Sequence, residues 1–195
     1  MARKTFEEAQ QTRRRILDTA IRHCVERGYD GLSLADIAQE AQVTRGAIYH
    51  HFANKQAFFL KIVEELLGRM GAAILEAAEK APNNWQALME GCRTFLEVSQ
   101  DSAYQSIILG QAPAILGTEL WNRLDQEHTT DSLNSVLMNL ETEGVIAIPD
   151  SQAAAEALSG AMNQLSRWVA AGHSLRTAWK TLELLLEALL AKKNA

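Results

Sequence analysis

Two short helix starts lie close together in residues 33–52, and this arrangement restricts the fold more than any other feature of the sequence. Ser33 is a typical N-cap residue, because its hydroxyl can accept a hydrogen bond from an unpaired N–H of the first turn. Leu32 and Ile37 occupy the N′ and N4 positions, where paired apolar side chains form a hydrophobic staple. We therefore expect a short helix that begins after Ser33 and ends near Ala41.

A second helix start follows the predicted turn at residues 42–44. Thr44 is the expected N-cap, and Val43 and Ile48 form another staple pair. Ile48 and Phe52 are spaced i and i+4, so both face inward on the same side of this helix. Two short helices joined by so brief a turn are typical of a helix-turn-helix motif, whose second helix fits a DNA major groove about 12 Å wide.

The outward face of the second helix carries residues suited to reading DNA. Arg45 can donate two hydrogen bonds to guanine O6 and N7, and Gly46 lets the backbone approach closely. Thr44 can bind a phosphate or a base edge, and Tyr49 and His50 can reach phosphates or thymine methyl groups. This narrow polar face is the predicted DNA reader.

Positive charge is concentrated in the N-terminal third of the chain. Residues 1–61 carry ten Lys/Arg and seven Asp/Glu, a net charge of +3, whereas the remaining residues carry nine and seventeen, a net charge of −8. Lys55, at the start of the fourth predicted helix, adds a cation beside free backbone N–H groups. We therefore expect only the N-terminal part to meet a polyanion.

Helix patterns continue through the rest of the chain, while period-two strand patterns and hairpin turn dipeptides are nearly absent. A first helix is predicted from Glu7 to Arg27, with Gly28 as its stop. A fourth is predicted from Asn54 to Lys80, with Gly68 and Gly71 as weak points. Further helices are predicted near residues 85–99, 102–112, 118–143, 151–171 and 175–192.

The fold class is therefore all-α, with about nine helices in two units. Residues 1–62 are predicted to form a three-helix DNA-binding domain, and residues 63–195 a helical domain. The boundary falls within the fourth helix, so we expect no flexible linker between the two units.

The motif residues resemble one family closely. The runs Ser33-Leu34-Ala35-Asp36-Ile37-Ala38, Val43 to Phe52 and Asn54-Lys55 look like those of the TetR family of transcriptional regulators, and most like its AcrR-type repressors of multidrug efflux. The likeness covers residues 3–62. One departure is His50, where AcrR-type members often carry Trp, and it concerns the operator preference.

The resemblance implies a set of DNA contacts and a partner. It makes Thr44, Arg45, Tyr49 and Lys55 contacts, assisted by Ser33 and by the basic arm Arg3-Lys4. With the residues argued from chemistry, the predicted DNA-binding set is Arg3, Lys4, Ser33, Thr44, Arg45, Gly46, Tyr49, His50 and Lys55. The implied protein is a ligand-responsive regulator, expected to be a repressor of efflux or related genes that a small apolar or amphipathic inducer releases from a palindromic operator.

In such a family the second domain binds the inducer. Apolar and sulfur-bearing residues on predicted inward faces suit an adaptable cavity, although the same residues would also suit a plain core. The candidate ligand-binding residues are Met70, Met89, Cys92, Phe95, Ile108, Met138 and Met162.

The last two predicted helices carry apolar residues on more than one side, which suggests a partner surface. In TetR-like proteins that partner is a second copy, joined through a four-helix bundle. The candidate residues of the homodimer interface are Leu158, Leu165, Val169, Leu182, Leu186 and Leu189.

Other classes of function find little support. The sequence has no nucleophile elbow, phosphate-binding glycine loop or metal-ligand spacing, so we expect no enzyme, cofactor or metal site. Cys24 and Cys92 lie in helix patterns and are interpreted as core thiols of a cytoplasmic protein, since no signal or membrane-spanning segment is evident. A helical module that binds another protein remains the alternative, and it would show no salt-dependent DNA binding. Activation rather than repression also remains open.

Overall fold

A computed structural model describes the backbone of residues 2–44, 46, 48, 52 and 54–191, and the side chains of these residues from Glu8 onward. Apart from one isolated bridge between Ile146 and Leu190, the described elements are helical, which confirms the all-α class. In chain order the elements are α1 (Ala2–Arg27), α2 (Leu34–Glu40), α3 (Lys55–Glu79), α4 (Asn84–Val98), a first π-helical segment (Tyr104–Gln111), α5 (Ala112–Leu116), α6 (Thr118–Asp125), a second π-helical segment (Gln126–Thr130), α7 (Asp131–Thr142), α8 (Ser151–Ala170) and α9 (Leu175–Glu187).

The N-terminal unit packs α1, α2 and the start of α3 around one apolar core. Leu17 of α1, Ile37 of α2 and Phe58 of α3 are buried in it. Between α2 and α3, Ile48 is helical and fully buried, as its inward position predicts. The Phe52 ring lies 4.5 Å from that of Phe58 between centroids. These contacts close a small three-sided core.

Helix α1 ends where the sequence predicts. Gly28 has a φ of +68°, in the left-handed region that glycine adopts without strain, and its N–H donates to the Cys24 carbonyl at 3.0 Å. This is the αL arrangement that commonly ends a helix. It turns the chain into the short loop 28–31, which leads to α2.

Helix α3 runs through both units. Asn54 caps its start, because the Asn54 Oδ1 accepts from the Ala57 N–H at 2.8 Å, and the helix continues to Glu79. The expected weak points at Gly68 and Gly71 do not interrupt it. Since tertiary burial outweighs the low helix propensity of glycine, the continuous apolar face keeps the helix intact. The division of the chain at residue 62 stays a prediction.

In the second unit, α3 and α4 pack along each other, α7 packs on α8, and α9 packs on both α4 and α8. Gly91 of α4 permits the close approach to α3, since a Cβ there would lie 3.3 Å from the Ile74 Cγ2. Among the described residues, every helix is too short or too polar to cross a membrane.

The two π-helical segments depart from the predicted regular helices. At the end of the first, the Ala112 N–H bonds to the Ile107 carbonyl, five residues back. Pro113 follows and has no N–H, so the usual bond to the carbonyl of residue 109 cannot form. Wide turns of this kind are rare and are frequent at functional sites.

The last helix also ends earlier than predicted, at Glu187. Beyond it the chain turns and pairs with the loop after α7, where the Ala147 N–H donates to the Leu189 carbonyl and the Ala191 N–H to the Val145 carbonyl. The pairing satisfies backbone groups that a longer helix would have bonded internally.

The Asn54 cap allows a direct test of the stability of α3. Asn54→Ala should lower the free energy of unfolding by about 1 kcal/mol, because the Ala57 N–H loses its acceptor. Urea denaturation of the purified protein measures this change. Asn54→Ser, which keeps an acceptor oxygen, is the control. Identical denaturation midpoints for the two variants would show that the cap contributes nothing.

Candidate DNA interface and internal cavity

The predicted helix-turn-helix has the expected geometry in its described part. The Ser33 Oγ accepts from the Asp36 N–H at 3.3 Å, and α2 begins at the next residue. The Val43 N–H donates to the Ala38 carbonyl at 2.9 Å, which closes the turn. Gln42 supplies the sharp bend with a φ of +55°, a value that is uncommon outside glycine. The turn lies where the sequence predicts it, but no local sequence signal indicates the positive φ at Gln42.

The predicted reader is only partly covered by the structure. Thr44 and Gly46 are exposed, as a DNA-facing position requires. Arg45, Tyr49 and His50 lie outside the described residues. Arg3 and Lys4 belong to the first turns of α1, and their side chains also lie outside the described part. Their roles, like those of Ser33 and Thr44, stay predictions.

Lys55 is engaged with the loop between α1 and α2. Its Nζ donates to the Asp30 carbonyl at 2.8 Å and lies 4.7 Å from the centre of the Tyr29 ring, a cation–π distance. The side chain is half-buried. Tyr29 in turn meets Phe59 edge-on, with ring centroids 5.1 Å apart. The predicted phosphate contact therefore also fastens α3 to loop 28–31.

A charged cluster joins α1 to the end of α2, and sequence reasoning missed it. The Glu40 carboxylate accepts from the Arg22 guanidinium at 2.6 Å and lies 2.7 Å from the His23 Nε2. The hydrogen bond from Arg22, followed by that from His23, lowers the pKa of Glu40. His23 is only 1% exposed, and within the described part of the chain its Nδ1 has no hydrogen-bond partner. This cluster fixes α2 against α1.

A cavity of about 480 Å³ lies in the second unit. Its walls come from α3, α4, the second π-helical segment, α7 and α8. Gly71 and Ile74 of α3 contribute to the apolar part of the lining, and Glu127, His128 and Thr129 of the second π-helical segment also line the cavity. The lining is mostly apolar with a few polar groups on one wall, which is the usual makeup of a small-molecule site.

The structure separates the seven predicted ligand-binding residues. Cys92, Phe95 and Met162 line the cavity. Met70 is buried beside a different cleft, between α1 and the end of α4, and Ile108 is buried in the core. These two positions and the half-buried Met89 lie outside the cavity lining.

The prediction that Met138 faces inward and binds the ligand is wrong, because its side chain is 53% exposed on the outer side of α7. Leu133, Leu137 and Leu140 form the buried face of this helix. A residue next to Leu137 is rotated by about 100° around a helix of 3.6 residues per turn, which carries Met138 out to solvent.

Both cysteines are held as neutral thiols. Burial raises the pKa of Cys92 to about 12, and that of Cys24 to about 12. A thiol that is protonated at neutral pH is a poor nucleophile. The interpretation as core residues therefore fits, with Cys92 also forming part of the cavity wall.

Three of the residues predicted at the dimer interface are buried within the single chain instead. Leu182 and Leu186 are 0% exposed, and Leu158 is also buried, so all three belong to the core of the single chain. Together with Ala178, the two leucines of α9 form an inward stripe at i, i+4 and i+8. Leu165, Val169 and Leu189 are half-buried.

The exposed apolar side chains of α9 lie elsewhere. Leu184 is 66% exposed and Leu185 is 46% exposed. Leu184 follows the buried Leu182 by two positions, about 200° around the helix, and points away from the core, whereas Leu185 lies at the edge of the buried stripe. Leu184 and Leu185 are among the large apolar side chains that the described part of the chain leaves exposed, and α8, on which α9 packs, carries the half-buried Leu165 and Val169.

One carboxyl group is placed where its charge is unfavourable. Asp125, at the end of α6, accepts from the Ser159 hydroxyl at 3.4 Å and lies near Tyr104. Burial raises the pKa of Asp125, and the hydrogen bonds from Asn163 and Ser159 oppose that shift only in part. Burial, followed by the nearby Asp125 charge, raises the pKa of Tyr104 as well.

The raised pKa predicts how stability depends on pH at this position. Because folding favours the protonated form of Asp125, the contribution is favourable at low pH and is lost as pH rises through the folded-state pKa. Asp125→Asn should therefore raise the stability at pH 7, with an advantage that shrinks on acidification. Urea unfolding at several pH values measures it.

The control for this measurement is Glu141→Gln, because Glu141 is an exposed carboxylate on α7. It should leave the stability almost unchanged at each pH. A lower stability of Asp125→Asn than of the parent at pH 7 would contradict the assignment of the buried charge.

Comparison with known families covers both units. The family described as "Bacterial regulatory proteins, tetR family" matches residues 16–62, and "Tetracyclin repressor-like, C-terminal domain" matches residues 85–192. The second match alone spans more than half of the chain.

Individual relatives agree with these matches. The chain is 30% identical to the Transposon Tn10 TetC protein of Escherichia coli over 70% of its own length and 68% of the relative's. It is 46% identical to the HTH-type transcriptional regulator AcrR of Shigella flexneri, over 43% of this chain and 39% of that protein. The latter match therefore spans well under two thirds of AcrR.

Solved structures show the same fold. A TetR-family transcriptional regulator from Pectobacterium atrosepticum has a TM-score of 0.76 and 32% identity, covering 96% of this chain and 98% of that one. A putative TetR-family regulator from Rhodococcus has a TM-score of 0.80 at 20% identity, over 93% of this chain and 99% of that one. The second likeness concerns the fold alone.

Proposed function

The chain belongs to the TetR family of bacterial transcriptional regulators, and on that premise we propose that it is a ligand-responsive repressor of efflux or related genes. The observation that carries this proposal is the course of helix α3, which begins at the helix-turn-helix and goes on to line the cavity with Leu67, Gly71 and Ile74. A ligand in the cavity thus touches the same helix that supports the DNA reader.

The proposed DNA contacts follow from the exposed face of the motif. Arg45 reads a guanine, Thr44 and Tyr49 bind phosphates or base edges, and Lys55 adds a backbone contact. The net positive charge of residues 1–61 supports this orientation, since the rest of the chain is acidic. A protein that binds an operator works beside the chromosome, so we place it in the cytoplasm.

The cavity supports a small apolar or amphipathic inducer. Its lining is largely aliphatic and aromatic, while Glu127, His128 and Thr129 offer polar groups on one wall. The relative at 48% identity over 59 residues that is described as a probable acrEF/envCD operon repressor of Escherichia coli is compatible with a repressor role. Because that match covers 27% of the relative, the regulated genes remain part of the proposal.

The proposed assembly is a homodimer. Leu184 and Leu185 are exposed on α9, which packs on α8 with its half-buried Leu165 and Val169, and a second copy would cover apolar side chains of these two helices. A two-fold dimer presents two identical readers, so the operator should be palindromic with half-sites about 34 to 36 Å apart.

DNA binding by Arg45 is the first test of this function. The wild-type affinity for an operator fragment, selected from genomic DNA, should fall steeply as salt rises, because phosphate contacts release counterions. Arg45→Ala should cost about 1 to 3 kcal/mol of binding free energy and relax the preference at one base pair. Fluorescence anisotropy in a series of salt concentrations measures the salt dependence of the wild type. The same method at one fixed salt concentration measures the affinity and the base preference of Arg45→Ala.

A matched control separates base reading from net charge. Arg93→Ala also removes one cation, but Arg93 lies on α4 in an exposed pair with Glu97, far along the chain from the motif. It should leave operator affinity within about twofold of wild type, as expected for a residue outside the interface. Equal affinities for Arg45→Ala and wild type would rule out Arg45 as the reader.

The proposed dimer face gives a second test. Replacing Leu184 and Leu185 by Lys places like charges across the two-fold axis, so the protein should become monomeric in analytical ultracentrifugation while its circular dichroism stays helical. Met138→Lys changes a similarly exposed apolar residue on α7 and should leave the dimer intact. A dimeric double variant would exclude this face.

A further inference from the structure

Gln111 joins the second unit directly to the DNA-binding unit. It is the last residue of the first π-helical segment, and its Oε1 accepts from the backbone N–H of Tyr29 at 2.7 Å. Its Nε2 donates to the Ser106 hydroxyl at 2.9 Å and to the Ser106 carbonyl at 3.1 Å. The same amide group reaches the Cys24 carbonyl at 3.5 Å, at the end of α1.

This contact holds loop 28–31 next to the residue that binds Lys55. Tyr29 is half-buried, so its N–H would be left unpaired and partly shielded from water if Gln111 moved away. The next residue, Asp30, accepts through its carbonyl from Lys55, whose ammonium group also lies over the Tyr29 ring. Gln111 therefore fixes the loop on which a predicted DNA contact, Lys55, rests.

The same π-helical segment touches the wall of the cavity at its other end. Tyr104, its first residue, packs edge-on against Phe95, with ring centroids 6.2 Å apart. Phe95 lines the cavity. A ligand that displaces Phe95 would therefore act on Tyr104, at the start of the segment that ends at Gln111.

A second contact holds the segment to the first unit beside Gln111. The Gln56 Nε2, in the first turn of α3, donates to the Ile115 carbonyl at 3.1 Å, just beyond the π-helical segment. Residues 104–116 are thus held to the cavity wall at one end and to both α1 and α3 at the other. The segment therefore connects the cavity wall with the DNA-binding unit.

We propose that Gln111 is the positioning residue that transmits occupancy of the cavity to the DNA-binding unit, through its hydrogen bond to the Tyr29 N–H. This inference rests on the proposed function, because it concerns how the same cavity regulates the same reader. Displacement of Phe95 moves the π-helical segment, Gln111 shifts with it, and loop 28–31 with Lys55 changes position.

The chain provides a matched control in the same segment. Gln105 is also a glutamine, but its Nε2 donates to the carbonyls of Ser99 and Ser166, both within the second unit. Gln105→Leu removes a comparable amide without touching loop 28–31. The test variant is Gln111→Leu. A second variant, Gln111→Asn, keeps the amide but is one methylene too short to reach Tyr29.

The experiment measures coupling in the full-length protein, with Nile red as a neutral apolar probe of the cavity. Operator affinity is measured with and without saturating dye, and dye affinity is measured by fluorescence. Gly71→Leu shows that the dye occupies the cavity, because a side chain there enters open space in the lining and should displace it.

The wild type and Gln105→Leu should lose operator affinity about 5- to 150-fold when the dye binds, the usual range of coupling between two sites. In Gln111→Leu and Gln111→Asn the loss of operator affinity caused by the dye should be less than about twofold, while the affinity for the dye itself is unchanged. Hydrogen exchange of the Tyr29 amide should be about three- to tenfold faster in both, as expected for a lost hydrogen bond.

The outcomes distinguish the two proposals. If the wild type binds the operator but no dye effect on affinity is seen, ligand release as proposed above is wrong, and the role of Gln111 falls with it. If the wild type responds and the Gln111 variants respond equally, only the role of Gln111 is wrong. A loss of coupling that Gln105→Leu shares would assign the effect to general destabilisation and would also overturn the inference.

Discussion

The rest of the structure depends on the uninterrupted apolar face of helix α3. Its first half buries Phe58, Phe59 and Ile62 in the DNA-binding unit, and its second half buries Leu66, Leu67 and Met70 against the second unit. These side chains belong to one continuous apolar core that extends through both units, so neither unit can be rearranged without a change at α3. Two units that share a helix in this way are coupled by packing rather than by a flexible linker.

Several helix starts could be predicted because each is encoded by a few neighbouring residues, whereas α1 begins at Ala2 rather than Glu7 and the helix predicted at 118–143 is divided by the second π-helical segment. Ser33, Asn54, Asn83, Asp150 and Ser174 all accept a hydrogen bond from the N–H three residues ahead, and the helices follow them closely where the sequence analysis expected. The helix-turn-helix was predictable for the same reason, since its caps, staples and inward face lie within residues 32–52. Local chemistry leaves few alternatives at such points.

The remaining features depend on contacts between residues distant in sequence. Helix α9 carries leucines on several sides, and periodicity alone cannot decide that Leu182 and Leu186 face the core while Leu184 and Leu185 face outward. Met138 was assigned to the wrong side of its helix for the same reason. The hydrogen bond from Tyr29 to Gln111 joins residues 82 positions apart, and a glutamine in a helix gives no sign of such a partner.

In the first unit, charged and apolar contacts tie α1 to α2. Glu40 binds both Arg22 and His23, which fastens the end of α2 to the C-terminal part of α1, and Leu17 of α1 and Ile37 of α2 are buried in the same apolar core. Loop 28–31 joins two helices that are fastened to each other. A displacement of this loop would therefore be transmitted to α1 and α2 together. A single contact at this loop can then change the position of the whole DNA reader, whereas the same contact on a loosely packed unit would change the position of the loop alone.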